Sequence, residues 1–191
     1  MNVLSNLLID KSIAIVGNAQ SLFDKTNGQL IDSHDIVCRI NKGIQIKNNV
    51  SQGTRTDIWA YGDFTLIRDY WWLRHNEYTI HLSKNKRPEY YEHVNKKISH
   101  GFNKTDFYTP IKLLETISEY GIIDPSSGLI LIWMIMQYNI KDITLFGFDW
   151  KATPTWCNNE YDNSLVCVHT WELEQQFIHN LLISNHNLKL L

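Results

Sequence analysis

Short apolar runs separated by polar turns set the rhythm of this chain. Ile13-Ala14-Ile15-Val16 is a β-branched run that stops at Gly17-Asn18, and Ile36-Val37-Cys38 is a second that ends in Arg39-Ile40-Asn41. Further runs at 58–61, 77–82, 106–108 and 143–146 also read as strands. Between them lie segments of helical spacing. These cover 21–25, 63–73 with Phe64, Ile67 and Trp71 on one side, 88–98, and a stretch from Pro110 to about Tyr120. The segment 129–138 is apolar on nearly all sides and predicts a buried helix, and a last helix runs from His169 to about Ser184. Strands alternating with helices predict an α/β fold: one nucleotide-binding domain over 1–191, Rossmann-like, with a mostly parallel sheet and helices on both faces.

The turns carry the candidate chemistry. A strand that stops at Gly17-Asn18-Ala19 before a helix is suited to an anion, because glycine admits close approach and free N–H groups of a helix start face the ligand. The spacing matches neither the dinucleotide fingerprint nor the P-loop, so a plain strand-to-helix turn stays open. Asn41 sits just past a strand end, where ligand-facing residues of open α/β sheets collect. Pro125-Ser126-Ser127-Gly128 is a capped helix start whose hydroxyl and N–H groups suit a ribose, a phosphate or a carboxylate. Gly147-Phe148-Asp149 is a second glycine turn at a strand end. The segment 151–167 has no periodicity and reads as a functional or mobile loop containing Trp156 and Tyr161. Asn27-Gly28 reads as a turn. Segment 83–104 is basic and aromatic, either a solvated surface helix or a lid that meets an anionic acceptor.

Composition narrows the classes. With 191 residues, 43% hydrophobic and 20% charged, the chain suits one globular core. A formal net charge of -2 gives no nucleic-acid footprint. Seven Trp and nine Tyr are many for this length, and they serve as core fillers or as flat platforms for sugars. Three cysteines without a CxxC pair argue against a disulfide framework and a zinc site, and favour a reducing compartment. The N-terminus lacks the pattern of a signal peptide, and the apolar run 128–136 is too short to span a membrane. The expectation is a cytoplasmic protein.

Together these stretches resemble the sialyltransferase family of animal Golgi enzymes and their bacterial relatives. The large sialyl motif is matched by Val16-Gly17-Asn18, Ser21-Leu22, Gly28, Ile31-Asp32, His34-Asp35, Val37, Arg39-Ile40-Asn41 and Gly53-Thr-Arg-Thr-Asp57. The small motif is matched by Pro125-Ser126-Ser127-Gly128 with Leu145-Phe146-Gly147-Phe148-Asp149, and the last motif by His169 and Glu174. The resemblance implies a GT-A-like sialyltransferase variant of the Rossmann fold. It also implies transfer of a sugar from a CMP-activated donor, with inversion and without a metal or other cofactor. Asn18 and Asn41 would contact the phosphate and ribose of CMP. Ser126, Ser127 and Gly128 would hold the donor sugar's carboxylate, and Gly147 and Phe148 would border the cytidine. Asp149 takes a structural or ribose role, and His169 would be the general base. The disulfide that joins the two motifs in animal enzymes has no counterpart here: Tyr138 stands near the small-motif position. The third motif, which helps the phosphate leave, has no clear copy, and Trp156 and Tyr161 are the available candidates.

The implied donor is sialic acid, with Kdo as the alternative 2-keto acid. The implied acceptor is a cell-surface glycan such as lipopolysaccharide or capsule. That acceptor is lipid-linked in some cases, which would place the enzyme peripherally at the inner face of the membrane. Two competing readings stay open: a methyltransferase-like nucleotide-dependent enzyme reusing the glycine turn, and a nucleotide-sugar-binding domain without activity.

Overall fold

The computed structural model describes residues 3–62, 78–82, 105–108, 111–157 and 169–191. Strands β1 (Ser12–Val16), β2 (Ile36–Ile40), β3 (Ile58–Tyr61), β4 (Tyr78–Leu82), β5 (Thr105–Tyr108), β6 (Asp142–Phe146) and β7 (Leu188–Leu190) form one sheet. Its order is β5-β4-β3-β2-β1-β6-β7, and every pairing among the described residues is parallel. Parallel sheets bury both faces, so the strands read as unbroken apolar runs, as β1 and β2 do.

The helices are α1 (Val3–Leu8), α2 (Gly28–Asp32), α3 (Asn49–Gln52), α4 (Ile111–Ser118), α5 (Ser127–Ile135) and α6 (Trp171–Ser184). Alternate residues of β1 separate the two faces. Ile13 and Ile15 join Leu4 and Leu8 of α1, Leu113 and Ile117 of α4, the whole apolar run of α5, and Phe177 and Ile178 of α6. Ala14 and Val16 join Val37, Phe146, Leu22 and Ile31 on the opposite face, under α2 and a short 3-10 helix, Gln20–Asp24. The expected α/β domain with helices on both faces is present.

Several boundaries differ from expectation for local reasons. The segment after β1 forms a 3-10 helix of one turn, not an α-helix. Asn27-Gly28 is a helix start, not a turn. A Cβ on Gly28 would lie 2.0 Å from the Asn49 carbonyl oxygen, so this glycine permits α2 to press against α3. The helix α1 and the three-residue β7 were too short to carry a period. The helices expected at 63–73 and 88–98 lie outside the described residues.

The topology fixes where a ligand belongs. From β1 the chain winds outward through β2, β3, β4 and β5, then returns to add β6 and β7 on the other side of β1. The strand order therefore reverses between β1 and β6. Their carboxyl ends, Gly17-Asn18 and Gly147-Phe148, flank the crevice that open parallel sheets use for binding.

Candidate functional site

At that reversal point lies an open cleft of about 580 Å³. Gly17, Asn18, Ala19, Asn41, Ser126, Ser127, Gly128, Gly147, Phe148, Asp149 and His169 all line it. Residues more than a hundred positions apart in sequence thus meet in one place. Trp156 does not line the cleft. It is 8% exposed and packs edge-on against Phe23, with ring centroids 5.7 Å apart, while the Lys47 ammonium lies 5.6 Å over its ring. Tyr161 lies outside the described residues.

Most N–H groups of the glycine turn after β1 are engaged within the protein. Gly17 N–H donates to Phe146 at 2.7 Å, Ala19 N–H to Gly147 at 3.1 Å, and Gln20 N–H to Pro154 at 2.8 Å. Ser21 N–H is taken by Thr153 Oγ1 at 3.1 Å. The returning chain forms an antiparallel bridge, Ala19 with Thr155, and occupies the donors that a helix start would have offered. Glycine is required here for packing: a Cβ on Gly17 would sit 2.4 Å from the Gly147 carbonyl oxygen. The turn is thus a tight β1–β6 junction at the cleft, with most of the donors expected for an anion already engaged.

The two asparagines brace the turns they occupy. Asn18 Nδ2 donates to the Ile40 carbonyl at 3.1 Å, joining the β1 and β2 ends. Asn41 has φ of 49°, a left-handed backbone that asparagine tolerates better than most residues. Its Oδ1 accepts from Gly62 N–H at 2.9 Å, and its carbonyl accepts from Trp59 Nε1 at 2.8 Å. Asp149 is engaged as well. Its carboxylate accepts from Ser21 Oγ at 2.8 Å, from Thr153 N–H at 3.1 Å and from the Thr153 hydroxyl.

Ser126 caps α5: its hydroxyl accepts from Leu129 N–H at 3.1 Å. The same residue is held by Glu174 of α6, which accepts from Ser126 N–H at 2.7 Å and from its hydroxyl at 2.6 Å. Glu174 is only 1% exposed, and this pair of bonds locks the start of α5 to the first turns of α6. The glutamate of the last motif is therefore a strut for the small motif.

His169 stands just before α6, partly exposed at the cleft. Its Nδ1 lies 2.6 Å from the Asp124 carbonyl oxygen, which has no proton to give, so Nδ1 carries the hydrogen. The neutral ring then has its lone pair on Nε2, the tautomer a general base needs. The Asp124 carboxylate lies 3.7 Å from the same nitrogen, and the Trp171 ring holds the imidazole edge at 4.9 Å between centroids.

Residues 10–68 match the family model described as glycosyltransferase family 29 (sialyltransferase). No curated protein sequence matches the chain. A mammalian sialyltransferase structure is similar with a TM-score of 0.63 at 19% identity, over 95% of this chain and 69% of that one. The structure in complex with Gal-beta-1-3GalNAc-ortho-nitrophenol gives 0.62 at 18% identity, over 98% and 71%. The sialyltransferase CstII from Campylobacter jejuni, solved with cytidine-5'-monophosphate, gives 0.61 at 16% identity, over 95% and 79%. The family model thus covers less than half of the chain, and the likeness to these sialyltransferase structures, which extends over nearly all of it, is one of fold.

The motif residues divide in two. Those of the strand and helix ends line the cleft, whereas Gly53-Thr-Arg-Thr-Asp57 does not. Other cleft residues escaped the sequence reading: Lys42, Lys151, Thr153, Thr155 and Trp171. Lys151 follows Trp150 in a left-handed pair, φ 68° after φ 50°, which is unusual backbone for two residues with side chains. Its ammonium bonds the Thr155 hydroxyl and lies 5.6 Å over the Trp171 ring. Among the described residues, Cys38 and Cys157 are free thiols, and no group of His, Cys, Asp and Glu is arranged to hold a metal ion.

Proposed function

We propose that this chain transfers a 2-keto acid sugar from a CMP-activated donor to a cell-surface glycan, with inversion, and that His169 is the general base. Sialic acid is the favoured donor sugar and Kdo the alternative. The observation that carries the reading is the hydrogen bond between His169 Nδ1 and the Asp124 carbonyl, at the cleft where the β1 turn, the β6 turn and the start of α5 converge. The acceptor hydroxyl gives its proton to Nε2 as its oxygen attacks the anomeric carbon. The bond from that carbon to the phosphate oxygen breaks on the opposite face, and CMP departs with the electron pair. CMP is already a good leaving group, so a base of suitable tautomer and stabilisation of the phosphate suffice, without a metal.

Apolar residues Ile40, Leu129, Ile132 and Ile178 form part of the cleft lining, with Phe148 near the β6 turn for the cytidine to rest against. The choice of CMP is supported by the C. jejuni enzyme of similar fold, which was solved with cytidine-5'-monophosphate and with CMP-3FNeuAc. The acceptor is a lipopolysaccharide or capsule glycan, presented at the inner face of the membrane. Among the described residues no helix is long and apolar enough to cross a membrane.

Melting temperature with saturating CMP, UDP, GDP or S-adenosylmethionine, each with and without chelator, tests the reading. A ligand at ~100 times its dissociation constant stabilises the folded state by about 2.7 kcal/mol. A shift with CMP alone, unaffected by chelator, is the expected result. A shift with S-adenosylmethionine or UDP instead would overturn it.

A further inference from the structure

The donor phosphate needs positive charge or N–H donors, and the β1 turn has few to spare: its N–H groups at Gly17, Ala19, Gln20 and Ser21 bond within the protein. The chain also lacks a clear copy of the His/Tyr-rich element through which the family helps the phosphate leave. Two lysines stand at the same place. Lys42 directly follows Asn41 at the end of β2, and Lys151 follows the β6 turn, so they flank the end of β1 from its two neighbouring strands. Both line the cleft.

Cys157 lines the same cleft as the two lysines. It sits beside Trp156, whose N–H donates to the Asn18 carbonyl at 3.0 Å, so it lies over the β1 turn. Burial pushes its thiol up, and a backbone hydrogen bond and the charges of Lys42, Lys151 and Lys47 pull against that shift. The backbone of Lys151 points the same way. Consecutive left-handed residues that are not glycine are strained and persist where the surroundings enforce them, commonly at ligand sites. Lys151 is exposed and is oriented by the Thr155 hydroxyl and the face of Trp171. Trp171 in turn contacts His169, so one indole separates the ammonium from the imidazole, and both border one cleft.

We infer that Lys151, with Lys42 across the β1 turn, seats the phosphate of the leaving nucleotide. This rests on the CMP reading above. As the bond from the anomeric carbon to the phosphate oxygen breaks, the electron pair stays on that oxygen, and the two ammonium groups stabilise the charge that develops there. The acceptor proton goes to His169, so the cations and the base act at opposite ends of the reacting centre.

The test compares CMP with cytidine, which differ only by the phosphate, by calorimetric titration of the wild type, Lys151→Gln, Lys42→Gln and Lys151→Arg. Glutamine keeps a long polar chain without the charge, and unliganded melting curves confirm that each variant folds. Lys151→Gln is expected to weaken CMP by about tenfold or more, in line with a lost charge-assisted hydrogen bond. Cytidine affinity stays unchanged, and Lys151→Arg keeps most of the CMP preference. Lys42→Gln shows the same pattern to a smaller degree, and rising salt weakens CMP more in the wild type than in Lys151→Gln. If the wild type prefers CMP over cytidine and Lys151→Gln keeps that ratio, the phosphate seat is elsewhere and the CMP reading still stands. A wild type that binds CMP no better than UDP overturns both.

Discussion

Two polar regions of this molecule use similar residues to opposite ends. Beneath the β2–β3 edge, Arg39, Asp32, Arg55, Asp57 and Gln52 form a knot in which the charges bond to each other and to backbone. Arg39 is 0% exposed; its Nε donates to the Arg55 carbonyl and the Thr56 hydroxyl at 3.0 Å, and its Nη2 to the Gln52 carbonyl at 2.7 Å. Arg55 donates to the carbonyls of Asp32, His34 and Asp35 and meets Asp57 at 2.8 Å. Across the sheet ends, the cleft gathers His169, the start of α5 and two lysines around an open volume. Both regions come from motif residues. The knot turns polar groups inward to fix the β2–β3 connection, and the cleft holds them at a surface where chemistry can occur.

The largest break in this contrast is Arg39→Ala. Burial pulls the Arg39 pKa down to about 10, against the opposing pull of Asp32 and Asp57, so the side chain remains charged at neutral pH. Removing it leaves the Arg55 and Gln52 carbonyls and the Thr56 hydroxyl without their donor, at a cost of about 1–3 kcal/mol for each buried group left unpaired. Chemical denaturation should show this loss, with the CMP preference of the remaining folded protein intact. A neutral effect would mean that the knot is dispensable.

Glu174→Ala comes next, because Glu174 belongs to both regions in kind: it is a buried acid that braces the cleft. Leaving Ser126 N–H and its hydroxyl without their acceptor costs about 1–3 kcal/mol. Unlike Arg39→Ala, this variant should also lose transfer rate, since the start of α5 lines the cleft. Denaturation and transfer measured on one preparation separate the two effects, and unchanged transfer would remove Glu174 from the support of the site.

The smallest effect is on the acid limb of stability. Burial raises the Asp32 pKa, but hydrogen bonds from Arg55 and Thr54, with Arg39 nearby, outweigh it and leave the carboxyl below its ordinary range. The unfolded chain then binds this proton more readily than the folded one. The stabilisation is present above about pH 4 and is lost as pH falls through the folded value. Asp32→Asn should flatten the decline of stability in acid, read as melting temperature between pH 5 and pH 2.

The same contrast explains what the sequence made legible. Gly17-Asn18 and Ser126-Ser127-Gly128 stood out because strand ends and helix starts announce themselves through short-range chemistry, whereas His169 stood out only through the family resemblance; the structure gathers all of them at one cleft. Arg39 read as the end of a strand, and nothing local said that its guanidinium would be enclosed by residues 52–57. Gly28 looked like a turn residue because close approach between α2 and α3 leaves no trace in neighbouring positions. Lys151 was invisible for a similar reason. Its place depends on two left-handed residues, and that conformation is set by the returning loop and not by the identities of Trp150 and Lys151. Trp156 drew attention as an aromatic in an irregular segment, but long-range packing on Phe23 put it to use as filler.

The central claim, that the cleft is a transferase site with His169 as its base, is tested most directly by His169→Ala, measuring CMP-sugar transfer beside CMP binding. The account predicts that transfer falls by about 10²–10⁴-fold while CMP affinity holds within a factor of about three, because the base acts on the acceptor hydroxyl and not on the nucleotide. A variant that transfers at the wild-type rate would contradict the assignment.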